Sequence, residues 1–485
     1  FSLYSIPKNK KGMLHKLPSF LFLALVTLQS CTAQPKQDIN KDAFNLIEKW
    51  MEAQSDYQHL PGISAAIVKD QETIWSKAYG KASDNVNASP ATLYSICSIS
   101  KLFTSVAIMQ LYDAGKLRLD DEVKSVLPSF NIQQQHKDSG PITIRSLLTH
   151  SSGLPREADA PYWTGPDFPF PTKEEINSKL GGQETLYPAS TYFQYSNLGM
   201  SLLGEVIEEI SGMPYEEYVE KNILQPLRLA STHPYMSKDQ WGKELAVGYG
   251  AKKRDGTRDQ IALFDAKGIT AAAGYSSNVE DLGRFASWQF RLLEKGGTEL
   301  LKSSTLKEMQ RVQWVDPDWG VHWGLGFVVS QSDGTTLVSH GGSCPGYRTT
   351  LQMDPKNKMA YTVMINAGGE SPEKFARGLR HIMDKVPKDK KVKKSGANLE
   401  TYAGRYTAQP WGSETVVVPW YGDLAIMGLP TDEPDDAMTL LQHVSGDTFR
   451  RIRDDKTLGE EIKFEKKDGK VIKMWRNSNF SMRLD

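Results

Sequence analysis

Cysteine is scarce in this chain: three residues in 485, too few for the disulfide framework of a small secreted scaffold. An excess of charge of either sign is also missing. Lys+Arg and Asp+Glu balance at 58 each, so no global field draws the protein to nucleic acid or to acidic surfaces. The histidines lack ligand spacing, so neither a metal nor a cofactor is expected. No Gly-x-Ser-x-Gly elbow occurs, which removes one use of "HGG" at His340 to Gly342, as the oxyanion loop of an α/β-hydrolase. The apolar run "FLFLALVTL", Phe20 to Leu28, is too short to span a bilayer.

That run instead has the shape of an export signal. Lys8, Lys10, Lys11 and Lys16 precede it, and Met13 is the expected start. "LQSC", Leu28 to Cys31, looks like a bacterial lipobox with Cys31 as the lipidated residue, which makes an anchored rather than a spanning protein. The expected location is the cell envelope, with the membrane as a partner through Cys31. Ordinary cleavage after Ala33 would release a soluble form instead. The other two cysteines, Cys97 and Cys344, are expected to be plain buried thiols, with a disulfide between them the alternative in an exported protein.

At 485 residues, 39% of them hydrophobic and 24% charged, two folded units are the natural prior. Residues 1–31 read as the signal, 32–41 as a polar tether and 42–387 as the main unit. Residues 388–396, inside "KVPKDKKVKKSG", form a solvated linker. Residues 397–485 read as short alternating strands, with a hairpin signal at Asp468–Gly469, hence a small antiparallel barrel. In the main unit, Asp42 to Gln54 has helical spacing, and "GISAAIVK" and "ETIWSKAYG" are two strands about a tight turn. Leu102, Phe103, Val106, Ile108, Met109 and Leu111 make a helix apolar on nearly all sides, therefore central, ending at Gly115. "TTLVSHGGSCPGYRTTLQMDPKNKMAYTVMIN" reads as strand, glycine-rich break, strand, turn and strand.

Ser-x-x-Lys starts at Ser5, Ser98, Ser304 and Ser371. Only Ser98 opens an apolar helix, where the spacing puts Lys101 on the same face. A lysine at the edge of an apolar core loses its proton readily and can activate the hydroxyl. Taken alone, the pair reads equally as a capping serine and a snorkelling lysine. Tyr195-x-Asn197 occurs once, where an aromatic, proline-rich flank meets "NLGMSLLGEVIEEISG", and alone it reads equally as a core tyrosine and a capping asparagine. His340, in "VSHGGS", ends a strand at glycines that permit close approach by a ligand. His322 and His150 read as structural.

The order Ser98-x-x-Lys101, Tyr195-x-Asn197, His340-Gly341-Gly342 resembles the three-motif set of class C β-lactamases and their relatives, the serine D-Ala-D-Ala peptidases, D-aminopeptidases and esterases. The resemblance runs from about Asp42 to Lys385. It implies an α/β fold, an antiparallel sheet sandwiched with helices plus an all-helical lobe, and an acyl-enzyme on Ser98. Lys101 and Tyr195 would share proton transfer, and Asn197 would donate to the substrate amide or to Lys101. Backbone N–H groups of Ser98 and Ser343 would hold the oxyanion, with Gly342 beside them. One departure stands out: β-lactamases commonly carry lysine where His340 stands, and histidine is mostly neutral at pH 7. Weaker carboxylate capture follows, so an esterase or D-amino-acid peptidase is expected ahead of a β-lactamase or D-Ala-D-Ala carboxypeptidase. A non-catalytic receptor for cell-wall peptides, or a purely structural envelope protein, leaves Lys101 and Tyr195 unexplained. The C-terminal unit resembles the lipocalin-like barrel appended to some of these hydrolases, and three roles stay open for it: covering the cleft, mediating oligomers or binding its own ligand.

Overall fold

The computed structural model describes residues 40–388, 395–410 and 412–485. The leader run, Cys31 and most of the lysine-rich linker lie outside the described residues. Asn40–Asp485 form one compact body.

Helix α1 (Lys41–Gln58) buries Leu46, Ile47, Trp50 and Met51 along one stripe. Strands β1 (Gly62–Lys69) and β2 (Glu72–Ser83) follow, joined at Asp70, whose φ of 54° makes the tight turn. Seven consecutive residues of β1 are buried, so the strand is covered on both faces and sits inside the sheet. The other strands are β3 (Val86–Asn87), β4 (Trp314–Val315), β5 (His322–Trp323), β6 (Val328–Ser332), β7 (Thr335–Cys344), β8 (Tyr347–Asp354) and β9 (Met359–Ile365). They form one antiparallel sheet in the order β4-β5-β6-β7-β8-β9-β1-β2-β3.

Alternation along the strands gives the sheet two apolar faces. Ala66, Val68, Leu351 and Met364 join the core that holds the helical lobe. That lobe contains α2 (Ser100–Asp113), α3 (Ile144–Leu148), α4 (Lys173–Leu180), α5 (Asn197–Ser211), α6 (Thr270–Ala273) and α7 (Val279–Lys295). On the opposite face α1 packs with α8 (Pro372–Asp384), Trp50 against Phe375 at 5.9 Å between ring centres. Helix α2 is buried on every side, and Lys101 is its one charged residue within that core.

Two expectations need correction. The glycine-rich stretch does not break the strand: β7 runs through His340, Gly341 and Gly342 to Cys344, and the chain turns at Pro345–Gly346. Pro345 presets the turn and Gly346 accepts its φ of 84°. Cys97 and Cys344 are not free thiols; they form a disulfide, with Cα atoms 5.7 Å apart across a sequence separation of 247. The residues are distant in sequence, but β7 runs directly beside the turn that carries Cys97, which brings the two sulfurs into bonding reach.

The C-terminal strands are β10 (Gly404–Tyr406), β11 (Glu414–Trp420), β12 (Asp423–Leu429), β13 (Met438–Ser445), β14 (Thr448–Ile452), β15 (Leu458–Lys467), β16 (Lys470–Arg476) and β17 (Asn479–Met482). Each pairs with the next, and Tyr406 bridges to Arg483 so that the first strand meets the last. The result is a nearly closed antiparallel barrel. Tyr406, Leu424, Phe449, Phe464 and Met474 are among the side chains that fill its interior. The barrel docks on α1 and α8, away from the helical lobe. Trp50 donates to the Thr431 carbonyl at 2.8 Å, Gln54 donates to Asp432 at 2.9 Å, and Arg377 pairs with Glu433 at 2.6 Å.

Candidate active site

Ser98 lies in a 3-10 turn, Cys97–Ile99, that leads directly into α2. Cys97 holds φ at 48°, a left-handed conformation costing roughly 1–2 kcal/mol in a non-glycine residue. Its disulfide ties that turn to the end of β7. Gly342 permits the same approach: a Cβ there would fall 2.1 Å from Thr349 Oγ1 and 2.3 Å from the Ile96 carbonyl. Thr349 donates to that carbonyl at 3.2 Å, closing the seam.

One helical turn on, the Lys101 amine is completely buried. Its Nζ donates to Asn197 Oδ1 at 2.8 Å and to the Ala272 carbonyl, on α6, at 2.7 Å; Ser98 Oγ lies 3.1 Å away. Burial pushes this amine well below the ordinary lysine range; the Glu157 carboxylate pulls it back up and Arg156 pushes it further down. Both carbonyl-type oxygens can only accept, so they take two N–H bonds. In the neutral amine the lone pair then faces Ser98 and accepts the hydroxyl proton. The pair is thus arranged for proton abstraction.

Tyr195 packs its ring 4.8 Å from Lys101 Nζ. Burial raises its phenol pKa, and a hydrogen bond with Ser98 works against the shift, so the phenol keeps its proton. His150 stacks on it at 4.3 Å, with Trp323 at 6.0 Å. His150 itself is held at φ 56°, and its Nδ1 accepts from Ser196 N–H at 3.1 Å. The sequence reading assigned His150 to structure; it also orients the tyrosine, which only the packing reveals.

Asn197 departs from its expected role. The cap of α5 is Ser196, whose hydroxyl accepts from Gly199 N–H at 2.9 Å. Asn197 therefore points inward from the first helical position. It accepts from Lys101 rather than donating to it. Its Nδ2 donates to both Glu157 oxygens, at 2.8 and 3.0 Å. Glu157 also accepts from Tyr162 and pairs with Arg156 at 3.2 Å. Glu157 and Arg156 were not singled out in the sequence. They stand in "GLPRE", just where the irregular aromatic flank begins, and nothing local marks them as cleft residues.

His340 is almost fully buried and does not reach the cleft. Its Nδ1 donates to the Gly341 carbonyl at 2.7 Å, and Nε2 has no partner among the described residues. Burial, with Lys101 nearby, lowers its pKa to about 3, so the ring is neutral. Ser343 is exposed at the cleft edge. Because the two-residue turn makes Cys344–Tyr347 the hydrogen-bonded pair, Ser343 opposite Arg348 directs its N–H away from β8. Strand β6 pairs with β7 only as far as Ser339, so that N–H faces an open edge beside the Ser98 turn. Ser98 N–H sits at the start of the 3-10 turn, where helix donors have no intrahelical acceptor.

The cleft that results has a volume of about 390 Å³ and is lined by Ser98, Arg156, Glu157, Asn197, Ser343 and Arg348, with Trp163, Ile261 and several glycines. No described barrel residue is among its lining. Its far rim is locked by Arg258, which donates to the Gly250 carbonyl at 3.0 Å and the Gly368 carbonyl at 2.9 Å and pairs with Glu370 at 2.5 Å.

An antiparallel sheet between helices, with serine, buried lysine and tyrosine meeting at the edge of a helical lobe, is the architecture of a β-lactamase-fold hydrolase. The chain belongs to the beta-lactamase family, whose model matches residues 47–382. It is similar to Protein flp of Staphylococcus aureus (strain N315), 25% identical over 380 residues, covering 76% of this chain and 71% of the relative. Among solved structures it resembles the octameric penicillin-binding protein homologue from Pyrococcus abyssi, with a TM-score of 0.62, 24% identity and coverage of 92% of this chain and 100% of the other. It also resembles EstCE1, a hydrolase with promiscuous acyltransferase activity, with a TM-score of 0.60, 22% identity and coverage of 71% and 98%.

Proposed function

We propose that the protein is a serine esterase working through an acyl-enzyme, and that acylamino substrates such as β-lactams and D-Ala-D-Ala peptides fit it poorly. One observation carries this reading: both functional atoms of the Asn197 amide are already engaged, by Lys101 and by Glu157. No amide donor is left there to read a substrate amide. The neutral, buried His340 supports the same conclusion, since it offers no cation to a substrate carboxylate.

In the reaction, Lys101 takes the Ser98 proton as Oγ bonds to the ester carbonyl carbon. The N–H groups of Ser98 and Ser343 receive the developing oxyanion, each worth about 3 kcal/mol. Tyr195, protonated and beside Ser98, hands a proton to the departing alcohol and is reprotonated from Lys101. Water then adds to the acyl-enzyme, the acid leaves, and Ser98 recovers its proton. Fluorophosphonate labelling that vanishes in Ser98→Ala, together with turnover of p-nitrophenyl esters faster than nitrocefin, is the expected result. Absence of labelling would favour a receptor, and faster nitrocefin turnover would reverse the preference.

The export reading is kept as part of the proposal: Cys31 anchors the chain in the cell envelope. The Cys97–Cys344 disulfide supports it, because such bonds persist in oxidising compartments. Incorporation of labelled palmitate, lost in Cys31→Ser, is the test.

A further inference from the structure

Three charged side chains line the cleft: Arg156, Glu157 and Arg348. Two of them neutralise each other, Arg156 and Glu157 at 3.2 Å, and the Arg156 guanidinium is further occupied over the Tyr195 ring at 4.9 Å. Arg348 is different. Its Nη1 is anchored on the carbonyls of Cys344 and Tyr347, at 2.9 and 2.8 Å, which fixes the plane of the guanidinium at the outer end of β7. Among the described residues its Nε and Nη2 have no acceptor and it makes no ion pair. Burial pushes its pKa down, and the opposing carboxylate, Glu373, is engaged by Ser371 at 2.9 Å. A half-buried guanidinium with open donors and no carboxylate at ion-pair distance among the described residues is suited to an anion.

The direction of the substrate follows from the proton path. Tyr195 and Lys101 serve the leaving group, so that group lies at the inner end of the cleft. The acyl portion then extends past Ser343 toward Pro345, Gly346 and Arg348. Building on the esterase reading, we propose that Arg348 binds a carboxylate at the distal end of the substrate's acyl chain, which makes the preferred substrates hemi-esters of short dicarboxylic acids. The cation that His340 does not supply at the inner end is supplied at the outer end, on the acyl side.

The test compares mono-p-nitrophenyl glutarate with p-nitrophenyl pentanoate, which share a chain length and differ in the terminal carboxylate. The ratio of their kcat/KM values in the wild type should favour the hemi-ester by about 10- to 100-fold. In Arg348→Gln the ratio should fall to about 1, through KM of the hemi-ester, and Arg348→Lys should retain part of it. A wild-type ratio near 1, an unchanged ratio in Arg348→Gln, or a ratio lost in Arg156→Gln but kept in Arg348→Gln would each overturn the assignment. Should Arg348→Gln fail to fold, competition against pentanoate turnover decides: inhibition by glutarate but not by glutaramide supports the subsite, and equal or absent inhibition refutes it. Ser98-dependent turnover of pentanoate tests the esterase reading separately, so the two failures are distinguishable.

Discussion

The cleft and the C-terminal barrel treat buried groups in opposite ways. The barrel interior is apolar, its charged pairs lie toward solvent, and left-handed residues such as Lys456, Asp468 and Asn477 sit at exposed turns. Around the cleft, by contrast, a lysine is buried without a carboxylate in contact. Two buried imidazoles, His150 and His340, each leave Nε2 unpaired, and the left-handed Cys97 and His150 are themselves buried. The difference teaches where this protein departs from local consistency. The cleft is not alone in holding such groups, since the barrel's Tyr421 is also left-handed and buried, but at the cleft they stand beside the residues that carry the chemistry.

The largest effect that could break this contrast comes from Ser98→Ala. Ester turnover should fall by about 10⁴- to 10⁶-fold with little change in melting temperature; a residual rate within tenfold of wild type would remove the cleft's special status. Lys101→Ala should cost about 10²–10⁴-fold. The wild-type pH profile sharpens that prediction. With its pKa lowered by burial, Lys101 is a base in the neutral form, so kcat/KM should fall as pH drops through that lowered value and not hold a plateau below it.

Next in size is the disulfide. Cys97→Ser should destabilise the protein by about 2–4 kcal/mol, read as a lower denaturant midpoint and reproduced by reduction of the wild type. His340 gives a pH signature of stability. Its folded pKa of about 3 lies below the ordinary histidine value near 6.5, so the unfolded chain binds more protons between the two. Stability should therefore fall as pH drops from about 6.5 toward 3, and His340→Gln should flatten that slope in urea titrations. The smallest effect belongs to the barrel's docking face. Trp50→Phe loses one hydrogen bond to Thr431, worth about 1 kcal/mol, and should leave ester turnover within a factor of two.

Much of this was legible without coordinates. The helix of α2, the β1–β2 hairpin and the alternating barrel strands all follow from short-range spacing, and each appears where the pattern predicts. The Ser98–Lys101 pair is legible for the same reason, because three residues in a helix return to one face. The glycines predict a break that β7 does not have, since nothing local reveals that the Ile96 carbonyl and Thr349 need that space.

What only tertiary structure decided are the states of the groups rather than their identities. That Lys101 gives up its proton more readily than an ordinary lysine depends on complete removal from water by α2's neighbours. That Asn197 faces a lysine and a glutamate depends on a flank 40 residues upstream folding back on it. That the two cysteines join depends on β7 meeting the Ser98 turn. Spacing along a chain determines which side chains share a face; desolvation and long-range hydrogen bonding, which have no local signature, determine what those side chains can do.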